Sequence, residues 1–549
     1  MVWSYYTQEV NLDKEKTAHL DLSKQFTIGN SLSDEIKFGG KYRDKVRSKD
    51  ESQLDANYEM FRMYMNSTSG PKNFIGTPFQ KDNLAQGSLV LLSYFLDTPA
   101  KSRTLYNGGL LYPLINDNDL RAWWDINKNG INGSLSEYTP DDEIGAEGYN
   151  IEEQVSAGYL MNTLNIGQMT TLILGVRVES ENDSYTSEYS KAALTGYPTV
   201  RGLLRDTTAT HTENIWLPNA QLTLKPADFM NVRLAAYRAL ARPDFNYRLN
   251  QFLARTSATD LPKGVPAGYG TSIVAGDPDL PDAKAWNYEI NTSFFGNTIG
   301  LFTISAFYKE IQDMFHYANE VQVDGANSKN GQKYLDSVGI KWKDPFDSTV
   351  AYYLFYPYSS SQSTRVWGFE ITHQFNTNFL PGLLKNFVLS YNLSLIHSET
   401  TIRSFVNDDT VWLPIKNRFG VITGYSANPV PRYFDSKQKL EGQPEFFGNV
   451  SLGYDIGGFS ARISLFFQGA YTSQYSADGR TDIVTNSLKK WDLSLKQQLA
   501  SYIAVMLNIN NLTNADESTS VKNRITGLEL PYHNDNYGLT ADLGVQVTL

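Results

Sequence analysis

Six histidines and no cysteine limit the chemistry available to this chain of 549 residues. The absence of cysteine excludes disulfides, thiolate metal sites and thiol nucleophiles together. No Ser/His/Asp constellation, paired carboxylate or phosphate-binding glycine loop stands out. We therefore predict no enzyme activity, no catalytic residue, no cofactor site and no metal site. The histidines lack metal-ligand spacing and are expected to be structural or interfacial: His19, His211, His316, His373, His397 and His533.

One polar segment resembles the first half of a calcium loop. Oxygen ligands at alternate positions, followed by glycine, are typical of an EF-hand. The twelfth position is Ser136, where an EF-hand has Glu, and Glu137 comes one residue late. A turn-rich surface loop over residues 125–137 is the alternative, so calcium binding stays open. The residues that follow the pattern are Asp125, Asn127, Asn129 and Gly130.

Two further groups of residues have the chemistry to contact a ligand. Trp123 and Trp124 offer a stacking platform for a sugar or a siderophore; alternatively, they anchor the fold of their own loop. Lys37, Lys41 and Arg43 share one face if their segment is a strand. A basic face suits an anionic ligand or a docked domain, although an ordinary polar wall has the same composition.

The elements that must position these residues are strands with one apolar and one polar face. Over residues 537–549 the chain alternates between apolar and polar side chains at every step. A period of two is typical of such a strand, and it recurs through most of the chain. An outward apolar band around a polar interior is what a membrane barrel needs. The predicted fold class is all-β, a transmembrane antiparallel β-barrel.

Roughly 15 segments alternate over the 9–11 residues that a tilted strand needs to cross a bilayer. Aromatic residues make up 13% of the chain, which suits strands and the girdles at the lipid–water boundary. No run of 18 or more apolar residues predicts a membrane-spanning helix. The predicted strands cover approximately residues 15–27, 33–47, 144–164, 168–184, 211–225, 229–242, 282–295, 299–316, 352–377, 385–404, 434–455, 458–478, 486–499, 502–515 and 537–549.

Connections between these strands alternate between short and long. Outer-membrane barrels have short periplasmic turns and long extracellular loops, so the alternation places Leu549 on the periplasmic side. Residues 48–143 are predicted to be a large extracellular loop insertion. A soluble propeller or sandwich would also have many strands, but not connections that are long at every second position. The net charge of −11 argues against a nucleic-acid partner.

The odd strand number predicts that part of the barrel lies outside this sequence. Bacterial single-chain barrels have even strand numbers, and an open sheet edge in lipid would leave backbone groups unpaired. Residues 1–6 do not have the pattern of a signal peptide. Residues 1–549 are therefore expected to be the C-terminal part of a larger barrel, with Met1 not its natural start.

Several short segments, taken in order, follow the pattern of one family. They are YNIEE at 149–153 with AGYLM at 157–161, GVRVE at 175–179, LARPDF at 240–245, GDPDL at 276–280 with WNYE at 286–289, FYKEIQDM at 307–314, GFE at 368–370 and NNLTN at 510–514. Together they resemble the TonB-dependent receptors, the outer-membrane active transporters of Gram-negative bacteria.

The resemblance implies a barrel of about 22 strands whose lumen is closed by an N-terminal plug domain. In that family the inner-membrane TonB protein pulls a short box on the plug to open a path. The present sequence contains neither plug nor box, and about seven strands of such a barrel are missing from it. It also ends in Leu549, where these barrels usually end in an aromatic residue.

The implied function is uptake of a scarce nutrient through a plug-gated barrel in the bacterial outer membrane. The implied partners are outer-membrane lipid, the TonB energy-coupling system and an unknown small ligand, which is a siderophore, vitamin, oligosaccharide or peptide. An alternative is a structural or docking subunit of a larger outer-membrane complex, with surface lipoproteins as partners. A passive porin is the third hypothesis, and the oligomeric state is left open.

Overall fold

The computed structural model describes residues 4–29, 31–56, 95–96, 103–104, 110–111, 114–129, 138–141, 147–191, 203–259, 268–323, 328–340, 350–416 and 419–548. The helices in these residues are α1 (Asp117–Asn129), α2 (Phe245–Arg248) and α3 (Ser328–Ser337), with one 3-10 turn at Gly382–Asn386. None of them is long and apolar enough to cross a membrane.

Strands make up most of the described chain. They are β1 (Ser4–Ile28), β2 (Leu32–Ala56), β3 (Arg103–Thr104), β4 (Leu110–Leu111), β5 (Tyr138–Asp141), β6 (Tyr149–Ile166), β7 (Thr170–Lys191), β8 (Leu203–Ala227), β9 (Met230–Ala241), β10 (Phe252–Thr259), β11 (Gly268–Ala275), β12 (Ala283–Gly296), β13 (Gly300–Gln312), β14 (Phe315–Val323), β15 (Val350–Ser359), β16 (Thr364–Asn376), β17 (Phe387–Lys416), β18 (Ile422–Gln438), β19 (Phe446–Ile456), β20 (Phe459–Gln468), β21 (Tyr471–Gln474), β22 (Asp482–Thr485), β23 (Leu488–Ala500), β24 (Ile503–Asn510), β25 (Glu517–Lys522), β26 (Glu529–Asp535) and β27 (Thr540–Val547).

Fifteen of these strands follow one another in the main sheet, and they correspond to the predicted segments. The pairs from β8 onward are antiparallel, as expected for the predicted fold class. The order of pairing is β1, β2, β6, β7, β8, β9, β12, β13, β16, β17, β19, β20, β23, β24 and β27.

Strand register converts the alternation along each strand into rows across the sheet. One row is apolar on six neighbouring strands: Leu222, Leu234, Ile290, Ala306, Phe369 and Leu395. The row beside it is polar on the same strands: Thr223, Arg233, Asn291, Ser305, Glu370 and Ser394. Adjacent residues point to opposite faces of a sheet, so one face is apolar and the other is polar. Polar side chains on this face hydrogen-bond across strands; for example, the Asn291 amide donates to Ser305 Oγ at 2.7 Å.

Aromatic rows border the apolar face on both sides. At the end of the strands that has long connections, the row is Tyr288, Tyr308, Trp367 and His397. At the end with short turns, the row is Phe294, Phe302, His373 and Tyr391. Neighbouring rings in these rows are in contact, for example Trp367 and His397 with centroids 4.5 Å apart. Two aromatic rows with an apolar band between them are the pattern of a barrel that faces lipid.

The short turns form as the glycine signals predict. Gly457 and Gly458 connect β19 to β20 with φ angles of 53° and 90°. Both angles lie in the left-handed region, which residues with a Cβ rarely adopt, so the tight hairpin requires glycine here. The same end of the sheet carries the short β12–β13 and β23–β24 turns.

The long connections contain strands of their own. The alternation predicted these only in part, because it merged β15 with β16, the end of β18 with β19, and β21 with β20. Hairpins β10–β11 and β14–β15 are joined by parallel pairing of β11 with β15. Strand β17 pairs with β19 through residues 387–395 and then with β18 from Thr400 to Lys416. Strands β21, β22, β25 and β26 form a separate four-stranded sheet. We call this end of the strands the loop end.

The chain divides into two compact units. The first consists of Met1–Asp13, Arg47–Asn150 and Ser187–Thr207, and the second of Lys14–Val46, Ile151–Thr186 and Thr208–Leu549. In the first unit, β2 runs to Ala56 and pairs with β5 from Gln53 onward, so the start of the predicted loop 48–143 is strand. The backbone pairing of β2 therefore extends beyond the residues whose side chains alternate between apolar and polar.

Helix α1 belongs to the first unit and changes two expectations. The backbone from Asp125 to Asn129 is helical, whereas an EF-hand ligand run must be an open loop; Gly130 and Ser136 lie outside the described residues. The prediction that residues 125–129 form the first half of a calcium-binding loop is therefore wrong. Trp123 is buried edge-on against Phe95, and Trp124 stacks on Tyr6 with centroids 4.2 Å apart. These contacts anchor the loop's own fold, which was the alternative to a ligand platform.

Candidate functional site

A buried network of charges, which we call the arginine clamp, lies at the loop end of β7, β9 and β12. Arg242 follows β9 and donates to Glu179 and Glu181, each at 2.8 Å. Arg248 of α2 donates to Glu181 at 2.9 Å and to Asp282 at 2.8 Å. Arg248, Glu181 and Asp282 are almost completely buried. Charged hydrogen bonds of this kind fix geometry strongly once their partners are desolvated.

The local sequence explains how the clamp is assembled. Asp244 accepts from the backbone N–H of Asn246 at 3.0 Å and so caps the start of α2. The N–H of Gly276 donates to Gln251 O at 3.0 Å, and a Cβ on Gly276 would overlap the carbonyl of Leu249. The residues that follow the LARPDF segment thus approach the backbone of the GDPDL segment closely.

The carboxyl groups in and around the clamp differ in pKa. Burial acts to raise the pKa of Glu181, but a hydrogen bond from Asp183 and the charges of Arg242 and Arg248 hold it at about 2. Burial and the neighbouring Glu181 carboxyl raise the pKa of Asp183 to about 8. Burial acts to raise the pKa of Glu213, but the nearby His211, the ion pair with Lys284 and a hydrogen bond from the N–H of Asp282 lower it to about 2. The clamp is a framework that holds the loop end together.

A cavity of about 700 Å³ opens beside the clamp's loops, between α3 and the hairpin β17–β18. We call it the hairpin cavity. Its volume lies within the usual range for small-molecule sites, roughly 300–1,000 Å³. It is lined by three cationic, three aromatic and several small polar or apolar residues: Lys333, Arg403 and Arg432; Tyr334, Tyr433 and Phe434; and Asn330, Ser337, Val338, Ser404, Pro431 and Asp435.

Tyrosines fix the shape of this cavity. Tyr334 of α3 stacks on Tyr433 of β18 with ring centroids 3.8 Å apart and planes at 12°. The Tyr334 hydroxyl is 3.0 Å from that of Tyr356 on β15, so helix and strands are fastened together. Burial raises the pKa of Tyr334 and of Tyr358, so both hydroxyls stay neutral donors in physiological conditions.

Arg403 is the cation held most firmly in the cavity wall. Its guanidinium donates to the Tyr356 hydroxyl at 3.1 Å and lies over the Tyr358 ring, 4.9 Å from the centroid. Its backbone N–H donates to the Tyr358 hydroxyl at 2.9 Å. Within the part of the chain that the structure describes, no carboxylate forms an ion pair with Arg403. Aromatic faces and neutral hydroxyls orient this cation without neutralising its charge.

The residues singled out in the sequence lie elsewhere. Lys41 lines a smaller pocket of about 310 Å³ with His19 and Arg177, and Lys37 pairs with Glu35 at 3.1 Å. No group of three or more histidine or acidic side chains in the described ranges could hold a metal ion. The other histidines contact Pro278 (His211), Thr400 and Glu441 (His316), Tyr391 and Ile299 (His373), Glu445 (His397) and Asp535 (His533).

The cavity residues were missed because no local signal marks them. Lys333, Arg403 and Tyr433 are far apart in sequence, and strand pairing and helix packing bring them together. Arg403 lies at the end of the predicted strand 385–404, whereas Lys333 and Tyr433 fall in no predicted strand and no family segment. The clamp was partly marked, since Glu179, Arg242 and Gly276 belong to segments that were singled out, whereas Glu181 and Asp282 do not.

Comparison with known proteins identifies the family. The model of the TonB dependent receptor-like β-barrel matches residues 2–512, so the chain belongs to this family. It is therefore an outer-membrane β-barrel protein of a receptor family, not of an enzyme family, as the sequence predicted. No curated protein matches.

Solved structures resemble the chain at low identity. The ferric-catecholate import receptor Fiu from E. coli K12 has a TM-score of 0.49 at 14% identity, covering 97% of this chain and 54% of that one. The siderophore receptor PiuA from Acinetobacter baumannii has 0.48 at 12%, covering 98% and 56%. The unliganded ferric citrate transporter FecA has 0.49 at 11%, covering 99% and 55%. The chain spans about half the length of these structures, and likeness at this level says nothing about a ligand.

Proposed function

We propose that this chain is the barrel part of an outer-membrane receptor that captures a small ligand at its extracellular end and imports it. The hairpin cavity carries the proposal, because it combines a ligand-sized volume with cationic and aromatic side chains held by a rigid frame. Membership in the TonB-dependent family supports import driven by TonB and gated by a plug domain.

The extracellular frame supports this role. The arginine clamp closes the loops between β9 and β12, and parallel pairing of β11 with β15 joins two of the hairpins. A pre-organised site loses less conformational entropy when it binds than a site on free loops. The barrel is the frame, the loop end supplies affinity, and a plug moved by TonB gates passage.

An uptake experiment tests the proposal without knowledge of the ligand. Cells with the complete receptor and cells with its gene deleted are grown in the same medium, and the spent media are compared by mass spectrometry. We expect at least one solute to be depleted only by cells that carry the receptor. A protonophore should abolish this difference, because TonB draws on the proton-motive force.

Two results would overturn the proposal. Depletion that continues in the presence of the protonophore would indicate a passive pore. Identical spent media, together with a stable set of surface proteins that co-purify with the receptor, would indicate a structural or docking subunit instead.

A further inference from the structure

We infer that the connection between β16 and β17 is a membrane foot, which inserts apolar side chains into the phospholipid surface at its end of the barrel. We call residues 377–386 the turn foot, and we call the end of the strands opposite the loop end the turn end. The apolar side chains of the foot lie among acyl chains next to the headgroups, and Lys385 contacts a lipid phosphate. The inference goes beyond ligand capture and import, because it concerns how the barrel is held in its membrane.

The first support is the position of the turn foot on the lipid-facing side of the sheet. The foot is longer than the β19–β20 turn, which consists of residues 457–458 alone. Phe387, which follows the foot, is on the apolar face with Leu395, because an even number of steps along β17 separates them. The Phe387 ring contacts that of Tyr454 with centroids 5.0 Å apart, and the Asn386 amide donates to the Tyr454 hydroxyl at 3.3 Å. The foot is therefore attached to side chains that face lipid.

The second support is that hydrogen bonds fix the shape of the turn foot. The N–H of Thr377 donates to Phe387 O at 3.0 Å, and the N–H of Phe387 donates to Thr377 Oγ1 at 3.1 Å. The Thr377 hydroxyl donates in turn to the carbonyl of Leu384, and the N–H of Leu380 donates to Thr377 O at 2.8 Å. Gly382 has a φ of 63°, in the left-handed region that favours glycine. A foot closed by these bonds holds its apolar side chains in place.

The third support is the exposed apolar surface of the foot, which continues the lipid-facing surface of the barrel. Phe379, Leu383 and Leu384 are 53%, 68% and 53% exposed within one short turn. On the neighbouring β12–β13 turn, Ile299 is also exposed, and its carbonyl lies 2.7 Å from Nε2 of His373 in the aromatic row. Exposed apolar groups of this kind mark a contact surface, and aromatic rows mark the membrane boundary. Lipid is therefore the occupant that the position of the foot favours.

The fourth support is the charge of the foot. Lys385 is exposed and forms no ion pair with any residue in the described ranges, and residues 377–386 include no acidic side chain. A lysine beside apolar side chains at a membrane boundary extends its ammonium group to the headgroups while its stem stays in the apolar layer. Phospholipids supply both parts of this complement, because each joins acyl chains to a phosphate.

Fluorescence quenching in vesicles tests the insertion of the foot. Because the chain has no cysteine, Leu383→Cys can carry a single label in the complete receptor, reconstituted with phosphatidylcholine and phosphatidylglycerol. A lipid with a nitroxide near its headgroup should remove most of the fluorescence, whereas iodide in the water should remove little. The matched control is Gln374→Cys, at an exposed position near the same end but on the polar face with Glu370. The lipid nitroxide should quench the control label little.

Lipid retention tests the phosphate contact. Native mass spectrometry of the receptor released from these vesicles measures how strongly it prefers phosphatidylglycerol over phosphatidylcholine. Lys385→Gln should lower this preference about fivefold, the effect of one cation near an anionic membrane surface. The control is Lys437→Gln at the loop end, whose ammonium group pairs with Glu399 at 2.9 Å; it should leave the preference unchanged.

Three results would overturn the inference. Quenching of the Leu383→Cys label by iodide but not by the lipid nitroxide would show that the foot lies in water. A label shielded from both quenchers would show that a protein, such as a plug or a second copy of the receptor, covers the foot instead. An unchanged lipid preference in Lys385→Gln would refute the phosphate contact.

Discussion

At the scale of single residues, Arg248 shows how a buried charge, which is unfavourable on its own, can have a structural role when it is paired. It is among the most deeply buried side chains of the described residues, yet it carries a full charge. Its guanidinium donates to Glu181, to Asp282 and to the carbonyl of Leu280, so all three guanidinium nitrogens form hydrogen bonds. A buried ion pair of this kind contributes little net stability while intact, but removing one partner leaves the other charge buried and uncompensated.

Replacing Arg248 should therefore destabilise the protein strongly. Arg248→Met keeps most of the volume but leaves Asp282 without its main partner and Glu181 with Arg242 alone, at a cost of about 3–5 kcal/mol. The midpoint of denaturant unfolding in lipid vesicles measures the loss. The control is Arg480→Met, at an exposed arginine 4.0 Å from Asp478, which should change the midpoint little. Similar midpoints for both variants would show that the clamp has no structural importance.

Glu213 gives a pH dependence with a defined sign. Its folded pKa of about 2 lies below the ordinary value of 4.5, so its contribution is complete above pH 4.5 and is lost as pH falls towards 2. The difference in unfolding free energy between wild type and Glu213→Gln should be at most about 3 kcal/mol at neutral pH and should shrink in acid. A difference that stays constant between pH 6 and pH 2 would contradict the assignment.

At the scale of elements, the main determinant is the alternation that register turns into rows. The apolar row through Leu222 and Leu234 faces lipid, while the adjacent row through Gln221 and Ala235 faces the interior. The two rows differ by a single step along the strand. A charge should therefore have opposite consequences at neighbouring positions.

Leu222 and Gln221 form a matched pair for this test. Leu222→Arg places a cation towards acyl chains and should lower the stability by about 2–4 kcal/mol near the bilayer midplane. Gln221→Arg places the same side chain on the polar face and should cost less than about 1 kcal/mol. Folding yield and denaturant titration in lipid vesicles measure both. Equal losses would mean that the faces are assigned wrongly.

The sequence could predict the elements inside the membrane better than those outside it. Strand positions from β6 to β27 follow the alternation closely, because lipid on one side and polar contacts on the other impose a period of two. The extensions of β1, β2 and β17 and the four-stranded sheet could not be predicted in this way. Those strands are held by backbone pairing in water, which leaves no comparable pattern in the side chains.

At the scale of the whole molecule, the two ends of the sheet differ in structure. One end consists of tight turns, and the other carries the arginine clamp, the hairpin cavity and the joined hairpins. Arg403, Lys333 and the tyrosines come from β15, β17, β18 and α3, so only the assembled loop end creates the site. For this reason the sequence predicted the barrel but not the cavity.

The orientation of the molecule can be tested by labelling, since the chain has no cysteine. Leu530 on β26 is 55% exposed at the loop end, and Leu499 is 65% exposed near the β23–β24 turn. In intact cells, a membrane-impermeant maleimide should label Leu530→Cys but not Leu499→Cys. Permeabilising the outer membrane should make both reactive. The reverse pattern in intact cells would invert the orientation.

The pairing of β11 with β15 has a mechanical consequence. Six residue pairs, from Tyr269 with Val350 to Val274 with Phe355, join segments that are about 80 positions apart in the chain. A protease that nicks either hairpin at its tip would cut one peptide bond but leave the pieces hydrogen-bonded to each other. The paired strands would therefore keep their arrangement after a single cut.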